Sequence, residues 1–488
     1  MATNWNNYKN NNSSYTSLDT VAVRDQLIDY LQNTQDKLTD FNESSTIAIL
    51  IELMSGIGDM LAFRLDKQAL ETYLPTAKQR KNVKALLSLI GYQLDMTVSA
   101  KSTARFTLKS DYPYDSRIVI PKYTQLSGSD DSGTVYYATL EDAELPIGEF
   151  EVDVPIIQGV VKEVTYKVSE IMDSNKLYIN GTNIAQSSVI IDVDGTKWTE
   201  VPDVTVVPDN KTTFSVHEDK LDRAYILFHR NYSDMLPSDT STKVTINYLE
   251  SLGTDGEIRE GFISRVVTDG ITNISSGNRM YDVLSVTNIE RSSGSSGRET
   301  VDHARIQAPK ELTTVDRAIT LDDYNNLLNG LPGVVKGIAL DWKIDDMYYV
   351  NVPYKVDLYV VPETGDTASS TQLKEIEEFF STRKMSSLQV TAKSANLVDV
   401  DVKATVHVVT STSDYDRVKS VVIDKVTEYF KPVNQDFNTG VRMSNIITLI
   451  ETSDDTIDYV DLASPSNMNL KKNEFPRLRN LDIQITGK

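Results

Sequence analysis

The stretch that most limits what this chain can fold into runs from Ile47 to Leu70. Ile47, Leu50, Met54, Ile57, Leu61, Leu65 and Leu70 recur every three, four or five positions. That spacing sets apolar side chains along one side of an α-helix. Ala48, Ser55, Gly56, Gly58 and Ala62 punctuate the run, and small residues let another backbone approach closely. Two readings stay open: core packing within one subunit, or a helix–helix interface between subunits. The apolar segment Ile47–Phe63 contains Glu52 and Asp59. A bilayer helix needs about 20 apolar residues, and each acid in it costs about 3 kcal/mol. The expectation is therefore a buried helix of a soluble protein, with no membrane partner.

Further helices flank this one. Asp19 or Thr20 can cap a helix reaching about Leu38, and Phe41 to Ser45 is a break rich in capping residues. Pro75 stops the long helix, and Lys78 to Ile90 makes another, ended by Gly91. Residues 1–17 form a polar arm rich in Asn, Ser and Tyr. They lack a basic segment followed by an apolar run, so no signal peptide is expected.

From about residue 100 to 310 the rhythm changes. Short alternating segments such as Val135–Tyr137, Val160–Val168, Ala224–Phe228 and Lys243–Leu249 are separated by Gly, Pro, Asn and Asp turns. Gly294 to Gly297 reads as a flexible surface loop. Beyond 310, strands alternate with helices. Val398, Val400, Val402, Val406 and Val408 alternate with polar residues, which describes a strand with one wet face. A helix from Tyr415 to Phe430 carries Val418, Val421, Val422, Val426 and Phe430 on its apolar side.

The expected fold is multidomain α+β. It comprises a polar arm (1–17), a helical N-terminal domain (18–98), and β-rich modules (99–310) with an insertion at 169–249. An α+β domain (311–395) and a C-terminal α+β domain with its tail (396–488), both of sandwich type, complete it.

Composition narrows the chemistry. With 49 basic and 70 acidic residues the net charge is −21, a surface that repels phosphate backbones, so no nucleic-acid partner is expected. Cysteine is absent, which excludes disulfides, thiolate metal sites and Cys nucleophiles. His217, His229, His303 and His407 lie far apart in sequence, so no histidine-rich metal site is expected. There is no phosphate-binding Gly loop, H-E-x-x-H or G-x-S-x-G. Asp192-Val193-Asp194-Gly195 opens like a Ca²⁺ loop but lacks the later ligands, so a hairpin turn is expected. His407 reads as a solvated or edge histidine, and Trp198 and Trp342 as packing residues. The expectation is no catalytic residue, no cofactor and no metal. Abundant acids leave a glycan hydrolase with paired carboxylates as an alternative.

Several segments together resemble the baseplate wedge proteins of contractile bacteriophage tails, the baseplate J-like family. They are Asp40 to Ser45, Gly58-Asp59-Met60-Leu61, Leu65 to Ala69, Leu74 to Val83 and Leu86 to Leu94. Others are Val154 to Gly159, Trp198 to Val201, Gly256-Glu257-Ile258, Arg317 to Thr320, Asp323-Tyr324 and Leu331 to Val334. The resemblance covers about Thr20 to Asp461. It implies a structural virion protein of the tail baseplate, assembled in the host cytoplasm. Two copies pair within a wedge, and six wedges close a ring around the central hub with other wedge proteins. That ring holds the tail extended and rearranges to start sheath contraction. Tailocins and contractile injection systems share the architecture. A host-receptor-binding tail protein, drawing on the β-rich region, is the other alternative. The interface candidates are Ile47, Leu50, Met54, Gly56, Gly58 and Leu61 on one helix, and Val418, Val422 and Phe430 on another.

Overall fold

Ser45 starts the long helix by accepting the Ala48 amide on its hydroxyl at 3.1 Å. Such a bond satisfies one of the amides a helix start leaves unpaired. The computed structural model describes residues 20–34, 45–109, 117–130, 133–172, 174–181, 183–204, 212–219, 222–268, 271–273, 283–314, 317–341, 354–409 and 415–487. The polar arm, the break before Ser45 and Trp342 lie outside these residues. The described part forms two units, one of residues 1–94 with 300–309, the other of 95–299 with 310–488.

The first unit contains α1 (Thr20–Thr34), α2 (Thr46–Leu70) and α3 (Arg80–Ser88). Glu71, just past α2, accepts the Lys78 amide at 3.1 Å, the Gln79 amide at 3.1 Å and Asn82 Nδ2 at 2.9 Å. A carboxylate there suits the positive end of α3. A small core joins Ala77, Val83, Leu87 and Leu94 to Ala304 and Ala308. Arg305 donates to the carbonyls of Leu74 at 2.9 Å and Ala77 at 2.6 Å. Thus residues 300–309, expected at the end of the β-rich region, are helical from Val301 and complete the N-terminal unit. Their apolar spacing is helical but built from alanines, too weak a hydrophobic signal to stand out.

The second unit begins with a six-stranded antiparallel sheet. Its order is Ile263–Val266, Gln125–Asp130, Gly133–Thr139, Glu151–Gln158, Lys101–Leu108 and Leu284–Asn288. Alternation along Lys101–Leu108 buries every second residue, so Phe106, Tyr137, Val154 and Ile156 fill one core. A seven-stranded sheet is inserted between these strands, running in sequence from Val160 to Glu250. The insertion is therefore wider than 169–249. Val160–Lys167 pairs along its length with Lys243–Glu250, which makes it an edge strand of the inserted sheet. A short α4 (Val168–Ile171) follows that strand. Trp198, Phe214, Phe228 and Tyr232 lie in the inserted core. Asp194 (φ 52°) and Gly195 (φ 80°) form the hairpin turn between Ile190–Val193 and Thr196–Glu200. Both central residues of that turn type need positive φ, which Asp-Gly supplies.

Helix α5 (Val301–Thr314) leads into two smaller domains of similar plan. In the first, Lys355–Pro362 is central, antiparallel to Val334–Asp341 and parallel to Gln389–Ser394. Helices α6 (Leu321–Leu328) and α7 (Ser370–Ser381) share its core through Tyr324, Leu328, Ile376 and Phe380. In the second, Asn396–Val408 is central, antiparallel to Ile457–Ser464 and parallel to Glu474–Gly487. Helices α8 (Tyr415–Tyr429) and α9 (Met443–Glu451) cover one face. The chain is thus a multidomain α+β protein with helices first, β-rich modules in the middle and α+β domains last.

The Gly294–Gly297 segment is not a free surface loop. Ser293 and Ser295 are buried, and the segment is tied to its surroundings by side-chain hydrogen bonds. Its serines signal polarity, and that polarity is satisfied inside the protein rather than by water.

Candidate interaction surface

Helix α2 separates its small residues from its large ones. Ile51, Ser55 and Ala62 are its buried positions, and the Ser55 hydroxyl donates to the Ile51 carbonyl at 2.7 Å. On the same side, a Cβ placed on Gly58 would sit 3.0 Å from Cγ1 of Val23 on α1. Ser55, Gly58 and Ala62 therefore serve close packing inside the chain. The large residues do not. Leu50, Met54 and Leu61 are 55%, 62% and 55% exposed, and Leu53, Ile57, Met60, Phe63 and Leu65 are also more than half exposed. Gly56 is exposed, with open space around its Cα, and Ile47 is half-buried.

A buried helix was the expectation, and within this chain most of α2 is not buried. By length and composition it is also apolar enough to cross a membrane. Large exposed apolar patches are uncommon on folded monomers and are found at protein or membrane interaction sites. Leu53, Met60 and Phe63 were missed by the sequence reading because it followed one stripe. The uncovered surface extends around the helix beyond that stripe.

The other candidate helix behaves oppositely. Val418, Val422 and Phe430 are 0%, 0% and 5% exposed, packed with Val426 against Val400, Val406 and Ile450. Their stripe is consumed by the domain's own sheet, so these residues offer no surface. That corrects their place among the interface candidates.

The histidines sit in separate polar clusters. His407 bonds Asp461 through Nε2 at 3.0 Å and Thr486 through Nδ1 at 2.9 Å, and stacks on Tyr459 at 4.1 Å between centroids. All four residues lie on three neighbouring strands of one open sheet. His229 is buried, and His217 accepts or donates to Ser215 at 2.7 Å. Among the described residues no group of three or more His, Asp or Glu is placed to hold a metal ion. Glu200 is the one carboxyl that burial pushes up to about 7 among the described residues.

Residues 17–89 match the family model described as the N-terminal domain of bacteriophage baseplate protein. The matched segment contains α2 entire. No curated protein matches the chain. Among solved structures, a chain of the anti-feeding prophage (AFP) baseplate, determined by cryo-EM and 6-fold symmetrised, is similar over 96% of this chain and 100% of that one. The identity is 13% and the TM-score 0.32, too loose a superposition to build on. The match over residues 17–89 supports a structural component of a phage tail baseplate.

Proposed function

We propose that this chain is a wedge protein of a contractile-tail baseplate, of the baseplate J-like type. Two copies pair within each wedge, and six wedges close a ring around the hub that restrains sheath contraction. The observation that carries the reading is the uncovered apolar face of α2, which lies inside the segment matching a baseplate domain. Apolar area of this kind is unfavourable in water at roughly 25 cal/mol per Å². A second copy presenting the same helix would cover it in a self-complementary way, as a twofold interface requires. Permanent interfaces bury about 2,000 Å² or more with apolar centres, which a single helix face begins and neighbouring wedge proteins would extend. The role asks for no catalytic group. The absence of cysteine suits assembly in a reducing host cytoplasm.

The test is electron microscopy of contractile particles carrying a small tag at the C-terminus of this chain. Labels arranged in a ring of six or twelve at the tail end are expected. Labels on fibre tips would move the chain to the receptor-binding class, and particles without label would overturn the baseplate reading.

A further inference from the structure

Within the second unit, the boundary between the β-rich part and the two α+β domains is held by polar contacts. Ser293 Oγ donates to Gln372 Oε1 at 2.8 Å and accepts the Ser369 amide at 2.6 Å. Glu290 accepts the Ser370 amide at 2.9 Å, the Ser370 hydroxyl at 2.8 Å and, from its own side of the boundary, the Thr103 hydroxyl at 2.8 Å. Lys101 pairs with Glu375 at 2.5 Å, and Ser296 donates to Glu363 at 2.5 Å. The two backbones touch where a Cβ on Gly333 would fall 2.3 Å from the Gly294 carbonyl oxygen. Among the described residues none of the hydrophobic clusters spans this boundary.

The next boundary is different. Val361 and Ala395 of the middle domain share an apolar cluster with Phe475 of the C-terminal one, with Leu397 and Phe437 packed on it. One carboxylate reaches across both boundaries. Asp366 accepts Arg291 of the β-rich part at 2.7 Å on Oδ2 and Arg477 of the C-terminal domain at 2.8 Å on Oδ1.

We propose that residues 311–488 turn as one body against the β-rich part about this polar seam, with Asp366 as its latch. Polar boundaries between domains permit relative motion, whereas apolar ones resist it. Hydrogen bonds and ion pairs exchange for water at small net cost, so a seam made of them opens without exposing a core. The apolar cluster around Phe475 carries the C-terminal domain along with the middle one.

The test is amide hydrogen exchange on the full chain. In Asp366→Ala the Ser369 and Ser370 amides, which bond across the seam, are expected to exchange about tenfold faster, the equivalent of one charged hydrogen bond. Amides of Phe106, Val360 and Val406, inside the three cores, keep their wild-type rates. Glu290→Gln, which touches only the seam, gives the same pattern at about threefold amplitude. Thr103 and Thr371 bring their hydroxyl oxygens to 3.3 Å. A Thr103→Cys, Thr371→Cys pair in the Asp366→Ala background, oxidised, is expected to restore slow exchange at Ser369 and Ser370. Unchanged seam amides in Asp366→Ala would overturn the proposal. So would loss of protection in any of the three cores together with the seam, or failure of the oxidised pair to restore it.

Discussion

Helices α2 and α8 share one sequence pattern and opposite fates. Each repeats large apolar residues at helical spacing, Leu50, Met54 and Leu61 in one, Val418, Val422 and Val426 in the other. Helix α8 lies beside a strand with alternating valines, and the two stripes close on each other. Helix α2 brings Gly58 against Val23 of α1, and most of its large residues are exposed. The pattern tells that a helix has a side to bury. What it is buried against depends on whether the same domain offers a matching surface. In the first unit the small core of alanines, Val83 and two leucines is already complete without α2's large residues.

The largest effect separating the two helices is expected for Val422→Asp. It places an unpaired carboxylate among buried valines and costs about 4 kcal/mol or more, enough to unfold the C-terminal domain in a urea titration. The matching change on α2, Leu50→Glu with Leu61→Glu, is expected to leave folding within about 0.5 kcal/mol. It weakens self-association by about 100-fold or more in sedimentation velocity. If the α2 pair unfolds the chain, or associates like wild type, the contrast between the helices fails.

Glu200 sharpens the contrast from the stability side. Burial raises its carboxyl from 4.5 to about 7. The folded state then holds the proton more tightly than the unfolded chain, so the associated stability is present below pH 4.5 and is lost as pH rises through about 7. Between pH 5 and pH 8 the second unit is expected to lose about 2 kcal/mol. Urea midpoints of wild type and Glu200→Gln measure it, and the variant should show no such slope. Association through apolar side chains of α2 carries no comparable dependence.

Two glycines on α2 give the finest test. Gly58→Leu must push Val23 aside and is expected to cost about 1–3 kcal/mol of α1–α2 packing. A Cβ at Gly56 meets nothing within 4 Å, so Gly56→Leu is expected to gain up to about 1 kcal/mol of helix propensity, yet it should block close approach of a second copy. Thermal melting and sedimentation together separate the pair. Intact oligomers from Gly56→Leu would remove that face from the interface.

Much of the fold was legible because it rests on local signals. The valine alternation placed the strand Asn396–Val408, and Asp194-Gly195 marked the hairpin turn between Ile190–Val193 and Thr196–Glu200. The two α+β domains and their helices followed from alternating periods. Partners distant in sequence were less legible. The pairing of Val160–Lys167 with Lys243–Glu250 has no local signature, so the insertion was drawn too short. The serines of Ser292–Ser296 looked like solvent-loving residues, because nothing nearby in sequence announces Gln372, Glu257 or Glu363 as their partners. For the candidate surface, α2 was identified and its covered side was not. Small residues and large residues were both visible, but only the position of Val23 shows which set faces inward.

The discontinuity of the first unit bears on how the chain is made. Its core needs Ala304 and Ala308, and Arg305 must reach the carbonyls of Leu74 and Ala77. A ribosome releases Leu74 early and Arg305 roughly 230 positions later, a delay on the order of 10–50 s at bacterial synthesis rates. During that interval the β-rich part can fold while Ala77, Val83, Leu87 and Leu94 wait, their core unfinished, in the nascent chain. The last step of the first unit is thereby tied to synthesis well past the middle of the chain. Premature termination before about residue 300 would leave a sticky fragment rather than a smaller competent subunit.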